Sequence, residues 1–142
     1  MNDLHDSIRT KMVTIPVAIG ANATKSGLVI DRQGYGGVEF VATYGSVTTT
    51  GTVVTLVVKE GDVTGTMTSV ANGDLLGTET LASLLAGARV AGTGKEVTKR
   101  IGYKGIKRYV SVDAVSTGVT SVGVVGVVAI LHDASLSPTI NP

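Results

Sequence analysis

Residues 122–131 read Val-Gly-Val-Val-Gly-Val-Val-Ala-Ile-Leu and form the most apolar stretch of the chain. The stretch is about half of the roughly 20 residues that a membrane-spanning helix needs. Its valines and glycines favour a strand over a helix. Both faces of such a strand are apolar, which is typical of a strand in the middle of a sheet or between subunits. We therefore predict a last strand from Thr120 to Leu131 that is central in a sheet or lies between subunits.

The chain before this strand consists of short apolar runs that glycines separate, as in an all-β domain. Pro16 has no backbone N–H to donate to a neighbouring strand, so the first strand is predicted at a sheet edge or at a break in pairing. A hairpin is predicted around Lys104-Gly105, with strands at 96–103 and 106–115. The other predicted strands lie at residues 12–19, 27–31, 38–44, 52–60 and 63–70.

Residues 74–87 differ from the rest because they could hold a short helix. Thr78 suits the N-cap, Glu79 suits the first turn, and Gly87 suits the end of a helix. The alternative is an irregular apolar loop. The apolar residues from Leu75 to Leu85 belong either to the core or to a contact surface between copies, since large apolar patches rarely stay exposed on monomers.

Together these patterns predict one all-β domain, an antiparallel β-sandwich or small barrel of about seven or eight strands with at most one short helix. The β-domain is predicted to span residues 12–132. An extended N-terminal arm at residues 1–11 and a C-terminal tail at residues 133–142 flank it.

The composition limits the kinds of function. Of the 142 residues, 16% are charged, against roughly 25% in a typical soluble domain, and 43% are hydrophobic. So few charges suggest that some surface is buried against other subunits. The net charge of +1 gives no field that would attract nucleic acid non-specifically. The absence of cysteine excludes disulfides and thiolate metal sites.

Motifs that carry catalysis are not found in the sequence. His5 and His132 lie near the chain ends, whereas a metal site or general base needs a rigid surrounding shell. Gly92-Thr93-Gly94-Lys95 fails the phosphate-loop pattern, because Arg89 replaces its first glycine and Glu96 follows the lysine. There is no Gly-x-Ser-x-Gly nucleophile motif. We predict no catalytic residue, no cofactor and no metal, and hence no enzyme.

Half of the basic residues lie between residues 95 and 108, where tyrosines alternate with them. The cluster suits a cationic hairpin that docks on an acidic protein surface. It also suits single-stranded nucleic acid stacked on the tyrosines, or a solvated hairpin whose tyrosines cover the core edge. The candidate partner contacts are Lys99, Arg100, Tyr103, Lys104, Lys107 and Arg108.

Several stretches resemble small virion proteins of tailed bacteriophages, and among these the capsid decoration, or cement, proteins. The resemblance covers roughly residues 25–132. The stretches are Ile30-Asp31-Arg32-Gln33-Gly34-Tyr35 with Val38-Glu39-Phe40, then Glu60-Gly61-Asp62-Val63-Thr64-Gly65, Gly92-Thr93-Gly94-Lys95, Lys99-Arg100-Ile101-Gly102-Tyr103 and Lys107-Arg108-Tyr109-Val110.

The resemblance implies a non-enzymatic β-rich protein, commonly a homotrimer, that binds the outside of an expanded capsid and bridges capsomers. Its partners would be the major capsid protein of the same virus and further copies of itself. It would be made in the host bacterial cytoplasm and end on the capsid exterior of the virion, with no membrane involved. The alternatives are a head–tail connector or tail component, and a β module that binds carbohydrate or single-stranded nucleic acid. Near-neutral charge disfavours nucleic-acid binding.

Overall fold

A computed structural model describes residues 3–45, 47, 51–85, 97–120 and 122–135. The strands within these ranges are β1 (Arg9–Ile19), β2 (Ala23–Lys25), β3 (Ile30–Asp31), β4 (Tyr35–Gly45), β5 (Val53–Val63), β6 (Thr66–Ser69), β7 (Leu75–Leu76), β8 (Val97–Tyr103), β9 (Tyr109–Thr117) and β10 (Gly123–Ala134). The helices are α1 (Leu4–Ser7), α2 (Glu79–Ala82) and a 3-10 turn at Asn72–Asp74.

The strands form two sheets, which confirms the predicted all-β sandwich. The first sheet has the order β1-β10-β4-β8-β7, and the second has the order β2-β9-β5-β6 with β3 also paired to β9. All the pairings are antiparallel. Neither sheet closes into a barrel within the described ranges. The core between the sheets buries large side chains completely, among them Phe40, Leu56, Ile101, Tyr103 and Leu131.

The described residues contain ten strands and two α-helices, where the sequence predicts about seven or eight strands and at most one helix. The additional strands are β2 and β7, which have only three and two residues. Strand β3 lies within the strand predicted at residues 27–31, but it keeps only Ile30 and Asp31. Such short strands show no alternation that could be recognised in a sequence. Helix α1 has four residues, and its N-cap Asp3 accepts a hydrogen bond from the His5 N–H.

The last strand is central, as predicted: β10 pairs with β1 on one side and with β4 on the other. On its inner face Val125, Val127, Ala129 and Leu131 are buried. The outer face is apolar but only partly covered, and Val124 is exposed there. The predicted central position of β10 is therefore correct. Only the inner face of the strand is fully buried within one chain.

The first strand is an edge strand with broken pairing beside Pro16, which confirms the prediction from that proline. Its register with β10 shifts between Met12 and Thr14 and again between Thr14 and Val17. The strand begins earlier than predicted, because Arg9 already pairs with Leu131. Residues 9–11 thus belong to a strand.

The predicted hairpin around Lys104-Gly105 is wrong. Strand β8 pairs with β4 and β7 in the first sheet, whereas β9 pairs with β5 and β2 in the second. Residues 104–108 cross from one sheet to the other instead of turning within one sheet. Alternation shows that each segment is a strand, but it does not show which neighbour the strand pairs with.

The helix predicted within residues 74–87 exists but is short. The Thr78 hydroxyl accepts a hydrogen bond from the Leu81 N–H at 3.1 Å, which confirms the N-cap. The helix ends at Ala82 with Ser83 as its C-cap, well before Gly87, which lies outside the described residues. Within this region Leu75, Ala82 and Leu84 join the core, while Leu76, Leu81 and Leu85 are exposed.

The segment from Glu79 to Leu84 covers the edge of β5 that β6 leaves open. Val54 and Leu84 exchange two backbone hydrogen bonds of 2.9 Å. The Leu56 N–H donates to Ser83 Oγ at 2.9 Å, and the Val58 N–H donates to Glu79 Oε1 at 2.6 Å. The side chains of Ser83 and Glu79 thereby accept hydrogen bonds from two backbone N–H groups of β5 that would otherwise pair with a further strand.

No helix in the described part of the chain is long and apolar enough to cross a membrane.

Candidate functional site

The six predicted partner contacts do not form one surface. Lys99 points toward the inner side of β8, where its ammonium donates to the Ser83 carbonyl at 2.8 Å. Arg100 lies on the outer face with 80% of its side chain exposed, 3.7 Å from a Glu39 carboxylate oxygen. Tyr103 is buried. Because these residues lie on opposite sides of β8 and in the loop that leads from one sheet to the other, the predicted cationic hairpin is not present.

Two of the remaining cations are neutralised by carboxylates. Arg108 donates from Nε and Nη2 to both oxygens of Asp31, at 3.0 and 2.7 Å. This pairing holds the pKa of the Asp31 carboxyl below its usual range. The Lys107 ammonium contacts Asp62 at 2.5 Å, and this contact raises the pKa of Lys107. Exposed pairs of this kind add little stability, but they reduce the positive field of the cluster.

The loop of residues 104–108, here called the crossing loop, is held from within by Arg32. The Arg32 guanidinium is almost fully buried and donates to four backbone carbonyls. Nε donates to Lys107 O and Nη2 to Gly105 O, each at 2.5 Å. Nη1 donates to Tyr35 O and Gly36 O, at 3.1 and 3.2 Å. Arg32 thus joins the crossing loop to the first residues of β4.

Tyr103 holds the same loop from the side of the core. Its hydroxyl donates to Glu60 Oε2 at 2.5 Å and accepts from the Lys107 N–H at 3.1 Å. Burial, followed by the hydrogen bond with Glu60, raises the pKa of Tyr103, so the hydroxyl stays protonated at physiological pH. Gly105 packs against the Tyr103 ring so closely that a Cβ there would lie 2.4 Å from the hydroxyl oxygen.

This fixed backbone presents an apolar side chain to the solvent. Ile106 is 91% exposed, the largest exposure among the large apolar side chains of the described residues. Lys104 beside it is also exposed, while its backbone N–H is bound to Asp74 O at 2.9 Å. This isoleucine, held on an ordered backbone, is available for contact with a partner.

Two adjoining grooves lie at this end of the sandwich and share Gln33 and Tyr35. The first, of about 330 Å³, is here called the β1/β3 groove and is lined by Arg9, Lys11, Asp31, Gln33, Tyr35 and Leu131. The second, of about 250 Å³, is called the crossing-loop groove and is lined by Arg32, Gln33, Gly34, Tyr35, Ile106 and Arg108.

Sequence reasoning missed Arg32, Arg9 and Lys11 as site residues. Arg9 and Lys11 fell in the predicted arm, and Arg32 is a single arginine in a turn with no motif around it. Only the pairing of distant segments buries the Arg32 guanidinium. A signal for Arg9 and Lys11 was available in the sequence. The alternation of the first strand can be continued from Val13 back to Lys11 and Arg9, which places the three residues on one face of β1.

Residues suited to metal binding are not assembled in the described ranges. No group of three or more His, Asp or Glu side chains there could hold a metal ion. His5 lies in α1, and His132 Nδ1 lies 3.1 Å from an Asp133 oxygen near the end of β10. The Gly92–Lys95 segment lies outside the described residues.

The fold is similar to that of two much longer chains of known structure. The PBSX exported protein XepA gives a TM-score of 0.56 at 17% identity, covering 94% of this chain and 40% of that one. A chain in the structure of infectious bursal disease virus, Gx strain, gives a TM-score of 0.52 at 10% identity, and the match covers 92% of this chain and 33% of that one. No family model matches the chain, and no curated protein matches its sequence. At these identities the likeness establishes a shared sandwich fold, found in a phage protein and in a virus.

Proposed function

We propose that the protein is a non-enzymatic structural component of a phage virion, a decoration protein that binds the outer capsid surface and bridges neighbouring capsomers. The major capsid protein is its proposed partner. Bridging would stabilise the mature head, because expansion under internal DNA pressure would have to break these contacts. Many weak contacts repeated over a symmetric shell give a high total avidity.

The crossing loop is the observation that carries this proposal. Its backbone is fixed by Arg32 and Tyr103, while Ile106 at its tip is almost entirely exposed. Such a loop loses little conformational entropy on binding, because its backbone is already ordered. The site therefore suits adhesion. The likeness in fold to a phage exported protein and to a chain of a virus supports the viral setting.

The outer face of the first sheet supports the proposed self-association into a trimer. Met12 and Ile15 on β1 are 45% and 65% exposed, and Val124 on β10 is 38% exposed. Exposed apolar side chains become buried when copies of a protein associate through them. Light scattering of the purified chain tests this part, because a mass near 14.4 kDa at working concentration would contradict a trimer.

The direct test is cryo-electron microscopy of purified virions, combined with cosedimentation of the purified chain with capsids that lack it. We expect density for the chain in many copies over the outer shell, and loss of DNA at a lower temperature from heads without it. Absence from the outer shell would overturn the proposal. Density only at the portal vertex or on the tail would show a connector or tail component instead.

A matched pair of variants connects this test to the crossing loop. Ile106→Ser removes the exposed apolar side chain at the loop tip, and Leu81→Ser makes a similar change on α2, where Leu81 is 71% exposed. We expect Ile106→Ser to reduce capsid occupancy and Leu81→Ser to leave it unchanged. Equal occupancy for both variants would contradict the role of the loop.

A further inference from the structure

The core-facing side of β1 changes from apolar to cationic toward its N-terminal end. Val13 is buried, whereas Lys11 and Arg9, two and four residues earlier on the same face, have charged side chains. Their partners on β10 are Ala129 for Lys11 and Leu131 for Arg9, both of which face the core. The two cations therefore line the open end of the space between the sheets.

These cations lie in the β1/β3 groove. The Nε atom of Arg9 is buried and has no hydrogen-bond partner among the described residues. Lys11 is close enough to Asp31 to contribute to the lowered pKa of that carboxyl, although the Arg108 hydrogen bonds have the larger effect. Asp31 is already paired with Arg108 and lies in one groove with Arg9 and Lys11, so cations outnumber carboxylates there. The groove is therefore positively charged and has hydrogen-bond donors for an anion.

We propose that the β1/β3 groove and the adjoining crossing-loop groove bind an extended acidic segment of a polypeptide. A carboxylate of that segment binds Arg9 and Lys11, and a neighbouring apolar side chain packs on Tyr35 and Ile106. The inference rests on the proposed function only for the source of the segment, which would be the capsid protein.

The lining favours a peptide over a nucleic acid. Asp31 lies within the groove, where its carboxylate can accept a hydrogen bond from a peptide N–H, a donor that a phosphate backbone lacks. Among the described residues, Tyr35 is the one aromatic side chain that lines both grooves, whereas single-stranded nucleic acids use several aromatic side chains to stack successive bases. Ile106 at the far end offers an apolar contact next to the charged one.

Inward-pointing charges also protect an edge strand from pairing with another chain. Protection of the edge requires only that β1 has charged side chains, and it does not require that they bind a ligand. The two roles differ in what a substitution changes: loss of protection alters aggregation, whereas loss of the site alters the binding of an acidic peptide.

Fluorescence anisotropy with the full chain tests the inference. The probe is a short labelled peptide of glutamates next to leucines, and the comparison peptide has glutamines in place of the glutamates. We expect saturable binding of the glutamate peptide that weakens as salt is added. Arg9→Gln and Lys11→Gln should each weaken it about tenfold, the loss of one charge-assisted hydrogen bond. Circular dichroism checks that both variants stay folded.

Lys25→Gln is the matched control, because Lys25 is an exposed lysine on β2 that does not line either groove. We expect it to bind the glutamate peptide as the natural sequence does. The inference is overturned if the two peptides bind equally well or if Lys25→Gln weakens binding as much as Lys11→Gln. It is also overturned if inorganic phosphate at the concentration of the peptide displaces it, or if a labelled single-stranded oligonucleotide binds more tightly.

The outcome separates this inference from the proposed function. A chain that covers the capsid but does not discriminate between the two peptides would overturn only the inference. A chain that binds the glutamate peptide but is absent from the outer shell would overturn only the decoration role.

Discussion

The guanidinium carbon of Arg32 lies 5.3 Å from the centre of the Tyr103 ring. Arg32 follows β3 of the second sheet, and Tyr103 ends β8 of the first sheet. The pair therefore stands where the chain crosses between the sheets, and both residues hold the backbone of the crossing loop. A planar cation over an aromatic face can keep its in-plane donors for the surrounding carbonyls.

Replacement of Arg32 by lysine should destabilise the protein strongly. A lysine ammonium cannot reproduce the planar set of donors that serves four carbonyls, so buried acceptors lose their partners. We expect Arg32→Lys to lower the free energy of unfolding by about 2–4 kcal/mol in urea denaturation. Arg100→Lys is the control and should change it by less than about 0.5 kcal/mol, since Arg100 is exposed. Equal effects would contradict the role of Arg32.

A methyl group at position 105 should disturb the crossing loop. The Cβ of Gly105→Ala would lie 2.4 to 2.7 Å from atoms of the Tyr103 ring and hydroxyl. The buried ring has little room to move, so we expect a loss of about 1–3 kcal/mol in thermal or urea unfolding. Gly65→Ala provides the comparison, because a Cβ added at Gly65 would meet no atom within 4 Å. If both variants unfold alike, the loop does not pack as described.

The stability of the protein should fall as the solution becomes alkaline. Burial raises the pKa of Tyr44 and, with the Glu60 hydrogen bond, that of Tyr103 above the ordinary value of 10.0. Above pH 10 the unfolded tyrosines lose their protons while the folded ones keep them, so the folded state binds more protons and stability decreases with pH. The stabilisation is fully present below the ordinary tyrosine pKa, and it is lost as pH rises toward the folded pKa values.

Urea denaturation at a series of alkaline pH values measures this dependence. We expect the double variant Tyr44→Phe with Tyr103→Phe to start from a lower stability at neutral pH and to decline less steeply above pH 10, the ordinary tyrosine pKa. An unchanged slope in the double variant would assign the decline to other groups.

Ser83→Ala should weaken the contact between α2 and β5. Ser83 is fully buried, and its hydroxyl accepts from the Leu56 N–H and donates to Glu79 O. Without the hydroxyl, a buried backbone N–H in the middle of β5 loses its partner, at a cost of about 1–3 kcal/mol in the free energy of unfolding. Ser69→Ala, on the exposed strand β6, is expected to have little effect in the same urea measurement. A stable Ser83→Ala variant would show that water replaces the hydroxyl.

The sequence allowed correct prediction of features that depend on local chemistry. The valine-rich run around Val125 predicts a buried central strand, Pro16 predicts an edge with broken pairing, and Thr78 predicts a helix N-cap. Each follows from the residue itself or from its alternation along the strand. The all-β class, a sandwich or a small barrel, follows from the number of such strands.

Other features depend on contacts between distant segments and could not be predicted in this way. Strands β8 and β9 alternate as a hairpin would, yet they pair with β4 and β5, and pairing partners leave no local trace. Asp31 and Asp62 neutralise Arg108 and Lys107 from far along the chain. Cations that are close together in the sequence therefore form separate ion pairs in the structure. The positively charged groove lies elsewhere, around Arg9 and Lys11.

The pairing of β10 with both β1 and β4 has a consequence for biosynthesis. Until the residues of β10 emerge from the ribosome, β1 has no strand to join in its own sheet, and β4 lacks one of its neighbours. Strand β1 therefore stays unpaired in its sheet while all the residues between it and β10 are synthesised. Completion of this sheet thus depends on pairing between strands that are far apart in the chain, which slows folding and leaves the unpaired strand vulnerable to misfolding.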